Sequence, residues 1–166
     1  MPPELRTGLY EIDAGAEGQL PGLVVETDLK GDLHLHSEWS DGNDPIELMV
    51  DAAVSQGYEY MALTDHSQGL GVANGLTSER LESQIGFLRV MQEKYDITIL
   101  AGSECDIRAS GEMDFRDEVL AQLDVVVASV HNAMGQDQAT MTARMIKAME
   151  NPYVTIIGHL TTRLLG

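Results

Sequence analysis

The sequence has few basic residues: 10 lysines and arginines stand against 27 acidic ones, a formal net charge of −17, and lysine occurs only at Lys30, Lys94 and Lys147. Such a surface repels polyanions at low salt, so charge alone does not draw the protein to nucleic acid. An ordinary acidic, solvated face accounts for this balance, and so does a surface adapted to a very salty cytoplasm, where carboxylate repulsion is screened. Cysteine occurs once, at Cys105, which excludes an internal disulfide and fits a reducing compartment. No apolar run approaches membrane-spanning length, and Met1-Pro2-Pro3-Glu4-Leu5-Arg6 lacks the basic-then-apolar pattern of a signal peptide. A cytoplasmic protein with no membrane partner is expected.

What the chain does have is 43% apolar residues in 166, enough for one domain with a sizeable core. Residues 1–30 carry Pro2-Pro3, Gly8, Gly15, Gly18 and Pro21-Gly22 with little periodicity, and read as a linker or lead-in segment. The domain itself is expected over 31–166. Its first stretch, Gly31-Asp32-Leu33-His34-Leu35-His36-Ser37, reads as a strand with His34 and His36 on one face and Leu33 and Leu35 on the other. Taken alone, this pair fits a half-buried polar face as well as it fits two ligands for one metal ion.

A repeating architecture follows. Asp44-Pro45-Ile46-Glu47 is expected to open a helix, with Asp44 as its cap and Gly57 as its stop. Strands are expected over 58–64, 97–102, 125–130 and 154–158, with helices over 78–94, 117–123 and 138–150 between them. The strands are continuously apolar and alternate with helices, the pattern of a parallel sheet covered by helices. No glycine-rich phosphate loop follows the first strand, which excludes a Rossmann sheet. A barrel reading fits, because His34 and His36, His66, Glu104, His131 and His159 all fall at or just beyond strand carboxyl ends, where such barrels build active sites. Five consecutive strands each ending in such a residue decide between polar face and metal site. Imidazoles and carboxylates without a cysteine set suit Zn²⁺, Mn²⁺ or Fe²⁺. The ligands are too many for one tetrahedral ion, and Glu104 can bridge two; two or three divalent ions and hydrolysis of a phosphoester are expected.

The ordered motifs Gly31 to Ser37 with Ser40-Asp41-Gly42, Leu63-Thr64-Asp65-His66-Ser67, Gly102-Ser103-Glu104-Cys105-Asp106, Ser129-Val130-His131 and Gly158-His159 resemble those of the PHP (polymerase and histidinol phosphatase) family of metal-dependent phosphoesterases. Within it, Asn74-Gly75-Leu76 and the lead-in residues Leu5-Arg6, Glu11-Ile12 and Leu20-Pro21 make the chain most similar to the C-terminal domain of family X DNA polymerases. The resemblance implies an α/β fold, a distorted (β/α)7 TIM-like barrel, incomplete here with about five βα units. It also implies a trinuclear centre: His34, His36 and Glu104 on one ion, Glu104, His131 and His159 on a second, Asp41 and His66 on a third. Glu104, His131 and Asp65 would carry catalysis, Asp65 by orienting rather than ligating, and Arg163 would face substrate phosphate unless it is simply a surface arginine. The implied activity is cleavage of DNA 3′ ends (3′-5′ exonuclease, with abasic-site or 3′-phosphate processing) in DNA repair, beside upstream polymerase domains. A phosphatase for a small phosphomonoester and a non-catalytic structural module are the alternatives. The chain departs from the family in reading His159-Leu160 rather than His-Pro. It also stops at Gly166, before the family's last Asp and His motif, so a fragment of low activity is expected.

Overall fold

The structure, a computed structural model, describes residues 1–160. The lead-in holds one short helix, α1 (Glu11–Ala16), and two single 3-10 turns; no apolar side chain before Ile46 is buried, as a segment without periodicity implies. The elements that follow are β1 (Gly31–Leu35), α2 (Ile46–Ser55), β2 (Tyr60–Leu63), α3 (Ser78–Gln92), β3 (Thr98–Asp106), α4 (Asp117–Leu120), β4 (Val125–Ser129), α5 (Gln138–Met149) and β5 (Ile156–Ile157). Every pairing is parallel, and the strands lie in the order β1-β2-β3-β4-β5. A doubly wound sheet reverses direction part-way. Here each strand is added on the same side, and the sheet curls into half a barrel.

The stagger between strands supports that curl. β2 pairs with Thr98 to Ala101 of β3, whereas β4 pairs with Gly102 to Asp106. Successive strands thus climb along one another, as closure of a sheet demands. Gly102 sits at the changeover; a Cβ there would lie 2.8 Å from the Val125 carbonyl oxygen and 3.0 Å from that of Leu63.

Side-chain alternation divides the sheet into two faces. Met61, Leu63, Ile99 and Ala101 pack outward against Ile46, Val50 and Ala53 of α2 and Leu88 and Met91 of α3. Cys105, Val126 and Ala128 pack outward against Val119 and Leu120 of α4 and Ala148 of α5. Ala62, Val125 and Val127 form a separate apolar floor on the concave face, with Leu100 and Ile156 against it. Burial of a Leu, Val or Met in the outer clusters contributes about 1.5–3 kcal/mol each.

The structure moves several expected boundaries. Pro45, not Asp44, occupies the cap of α2, and it supplies no side-chain bond. Proline disfavours helical geometry in the residue before it, and the Asp44 carbonyl accepts from the Glu38 amide, tying Asp44 to the preceding loop. β3 runs four residues past its expected end, so Glu104 lies within the strand, held by the ladder with β4. β5 is only two residues long: the Thr155 hydroxyl, which accepts from the Val126 amide and donates to the Val126 carbonyl, replaces part of the ladder. α4 ends at Leu120 rather than 123.

Candidate metal centre

The concave face continues past the apolar floor into polar residues at the strand carboxyl ends. Counting by twos from Leu100 leads through Gly102 to Glu104 and Asp106; from Ala62 it leads through Thr64 to His66; from Val127, through Ser129 to His131. Leu35 packs with the helix-facing cluster, so His34 and His36 face the concave side. His159 has the parity of Ile157, which packs outward. Its φ of 25° breaks the strand and brings the ring back to the cluster, a departure of the kind that persists only where surroundings enforce it.

The result is that all five histidines of the chain surround one carboxylate. Glu104 Oε2 lies 3.1 Å from His34 Nε2, 3.3 Å from His36 Nε2 and 3.2 Å from His66 Nδ1. Its Oε1 lies 3.2 Å from His131 Nε2 and 2.8 Å from His159 Nε2. Asp41 completes the rim, 3.6 Å from His36 Nδ1 and 3.5 Å from His66 Nε2. The Glu104 side chain is 3% exposed while those of His34, His159 and Asp41 are 36%, 38% and 47% exposed, so the cluster has a buried base and an open mouth.

The charges of the cluster act on one another. Burial pushes the Glu104 carboxyl up, but hydrogen bonds from His131, His34 and His36 outweigh it and hold the group well below the usual carboxylate range. Asp106, then Glu104, raise His131 to about 9 against the effect of burial. The hydrogen bond to Glu104 raises His34. Burial lowers His66, despite the attraction of Glu104 and with the help of repulsion from His36.

These residues fit divalent ions. Three groups, His34 with His36 and Glu104, His36 with Asp41 and His66, and His66 with Glu104 and His131, each offer ligand atoms within 4.8 Å of one another. The atoms His131 Nε2, His159 Nε2 and Glu104 Oε1 lie within 3.2 Å of one another. The buried Nδ1 atoms of His36 and His66 make no hydrogen bond, which is costly for a polar atom unless something else takes its lone pair. Nitrogen and oxygen donors without thiolate suit a borderline divalent ion.

Asp65 lies elsewhere. Its buried carboxylate accepts from the Ser37 amide at 2.7 Å, the Ser37 and Ser40 hydroxyls at 2.6 and 2.5 Å, and the Gln84 side-chain amide at 2.6 Å. Four donors saturate it, and what it holds is the loop that carries Asp41. The same loop is closed by the Gly42 amide bonding to the Ser37 carbonyl, an approach so close that a Cβ on Gly42 would lie 2.1 Å from the His36 carbonyl oxygen. Arg163 lies outside the described residues. One residue given no role by the sequence reading stands against the cluster: Asp106, whose Oδ1 lies 2.6 Å from His131 Nδ1. Its place two residues after Glu104 on one strand was the available signal.

The sequence matches the PHP domain over residues 32–164. It is 42% identical over its whole length to a DNA polymerase/3′-5′ exonuclease PolX from Bacillus subtilis, and spans 29% of that protein. Over 77% of its length it is 34% identical to a probable phosphatase of Thermoanaerobacter sp. and 32% identical to one of Shewanella baltica, spanning 52% and 50% of them. Among the described residues no helix is long and apolar enough to cross a membrane. With the family matched over most of its length and every motif histidine drawn to one carboxylate, the chain belongs to the PHP domain family.

Proposed function

We propose that the protein is a metal-dependent phosphoesterase acting on DNA 3′ ends, as a 3′-5′ exonuclease in DNA repair. The observation that carries this reading is the convergence of all five histidines on Glu104. Two or three Mn²⁺, Zn²⁺ or Fe²⁺ ions held there would polarise a phosphoryl group and lower the pKa of bound water. In this assignment His34, His36 and Glu104 hold one ion, Glu104, His131 and His159 a second, and Asp41 with His66 a third. Glu104 stays anionic throughout the physiological range and neutralises charge at the base of the site. Asp65 acts indirectly, by fixing the loop that presents Asp41. Arg163 is proposed to meet substrate phosphate. The reading extends to residues 1–30 as the lead-in from polymerase domains of a cytoplasmic protein, and to 31–166 as part of a (β/α)7 barrel.

A second reading, a phosphatase for a small phosphomonoester, is favoured by the net charge of −17, which works against a polyanionic substrate, and by the names of the phosphatase relatives. Incubation of the Mn²⁺-loaded protein with a 3′-labelled DNA strand and, separately, with p-nitrophenyl phosphate distinguishes the two. Sequential release of mononucleotides from the 3′ end, lost in Glu104→Ala, is expected. Turnover of the monoester alone would establish the phosphatase instead, and ion binding without turnover of either substrate would establish a non-catalytic module.

A further inference from the structure

Asp106 is 1% exposed and both of its carboxylate oxygens are engaged by the loop that follows β4. Oδ1 lies 2.6 Å from His131 Nδ1, and Oδ2 accepts from the Asn132 side-chain amide at 3.0 Å. The sense of that amide is itself fixed. Asn132 Oδ1 accepts from Arg144 Nη2 at 3.2 Å, so its NH₂ must face Asp106. Arg144, 2% exposed on α5, also donates to the Asn132 carbonyl at 3.0 Å, to Gln136 Oε1 at 3.2 Å and to the Ile107 carbonyl. A buried guanidinium with so many acceptors has one orientation, and it passes that orientation along the chain Arg144, Asn132, Asp106, His131.

From this geometry we infer that Asp106 is a positioning residue for one ion of the centre: it keeps the proton of His131 on Nδ1 and aims Nε2 at the site shared with Glu104 and His159. The inference rests on the metal-centre reading above. A carboxylate behind a ligating imidazole fixes the ring's tautomer and direction. His34 and His36 meet Glu104 from β1 and the loop after it, and among the described residues no bond of the Arg144 network reaches either of them. The network therefore acts on the ion of His131 and His159 and leaves the ion of His34 and His36 alone.

The test is an equilibrium titration of the full chain with Zn²⁺, read by isothermal calorimetry and by bound-metal analysis, for wild type, Asp106→Asn and Asn132→Ala. Loss of a supporting carboxylate weakens ligation by about 10–100-fold. One class of sites should weaken by that factor in Asp106→Asn and by a smaller factor in Asn132→Ala, with the remaining class within about twofold of wild type. Asn132 is exposed, so its variant keeps the question open to measurement if Asp106→Asn does not fold. In ¹⁵N spectra of the Zn²⁺-loaded wild type, His131 should show a protonated Nδ1 and a ligated Nε2, and that signature should be lost or broadened in both variants. Unchanged affinities in both, or equal weakening of every class, would overturn the inference while leaving the metal centre standing. Failure of the wild type to bind Zn²⁺ would overturn both.

Discussion

Gln84, near the middle of α3, donates a 2.6 Å hydrogen bond to Asp65, and both residues are completely buried. The bond joins a helix on the outer face to the loop that carries Asp41, because Asp65 also receives Ser37 and Ser40. Gln84→Ala would leave a buried carboxylate one donor short. A destabilisation of about 1–3 kcal/mol in urea unfolding is expected. Gln84→Glu should cost more, since it sets a second carboxylate against the first; a variant as stable as wild type would show that the network is not structural.

Gly102 gives a second test of the fold. Overpacking of a well-filled site costs about 1–3 kcal/mol, and a methyl group there meets backbone of both neighbouring strands, which cannot rotate away. Gly102→Ala should therefore unfold at lower denaturant, with a loss in that range. It should also loosen metal binding, because Glu104 follows two residues later on the same strand.

His131 carries a pH signature. Its pKa is raised to about 9 by Asp106 and Glu104, above the unfolded value near 6.5. The raised value means that the pairing stabilises the metal-free fold fully below about pH 6.5 and that this contribution fades as pH rises through about 9. Metal must displace the same proton, so ion affinity should strengthen over that window while metal-free stability declines. Chemical unfolding of the metal-free protein between about pH 6 and pH 9.5, compared with His131→Ala, measures this contribution: the difference between the two should shrink as pH rises.

The acidic surface predicts an unusual salt response. Most DNA-binding proteins lose affinity as salt rises, because basic residues release counterions. With a net charge of −17, screening should instead help a DNA strand to approach. Exonuclease turnover at limiting DNA is expected to rise between about 10 mM and 150 mM NaCl, whereas p-nitrophenyl phosphate turnover should change far less. A steep fall with salt would reveal a basic DNA path that the net charge conceals.

Much of the candidate site was legible because side chains on strands obey a short-range rule. His34 and His36 share a face by alternation, and the carboxyl ends of parallel strands gather their polar side chains in one place whatever the helices between them do. The sequential strand order was not readable from apolar runs alone, which fit any parallel sheet. Ser103, Glu104 and Asp106 look like loop residues, so the apolar pattern ends β3 early, whereas the ladder with β4 carries them as strand. Asp44 resembled a cap, but Pro45 and the bond from Glu38 took that position out of reach. Gln84 reads as a polar residue on an amphipathic helix, and only the path of the chain reveals that it faces Asp65, 19 residues away. His159 has the wrong alternation for the site and reaches it through an uncommon φ, which no pattern of residue types encodes.

Glu104 and the histidines around it are proposed to hold divalent ions in common. Equilibrium dialysis of the purified chain against Mn²⁺, followed by bound-metal analysis and electron paramagnetic resonance, measures this directly for wild type, Glu104→Gln and Glu104→Ala. Wild type should retain at least two ions, with the spin coupling expected of neighbours that share a ligand, and both variants should lose most of the bound metal and the coupling. A wild type that retains no metal, or a Glu104→Ala variant with the full complement of coupled ions, would contradict the account.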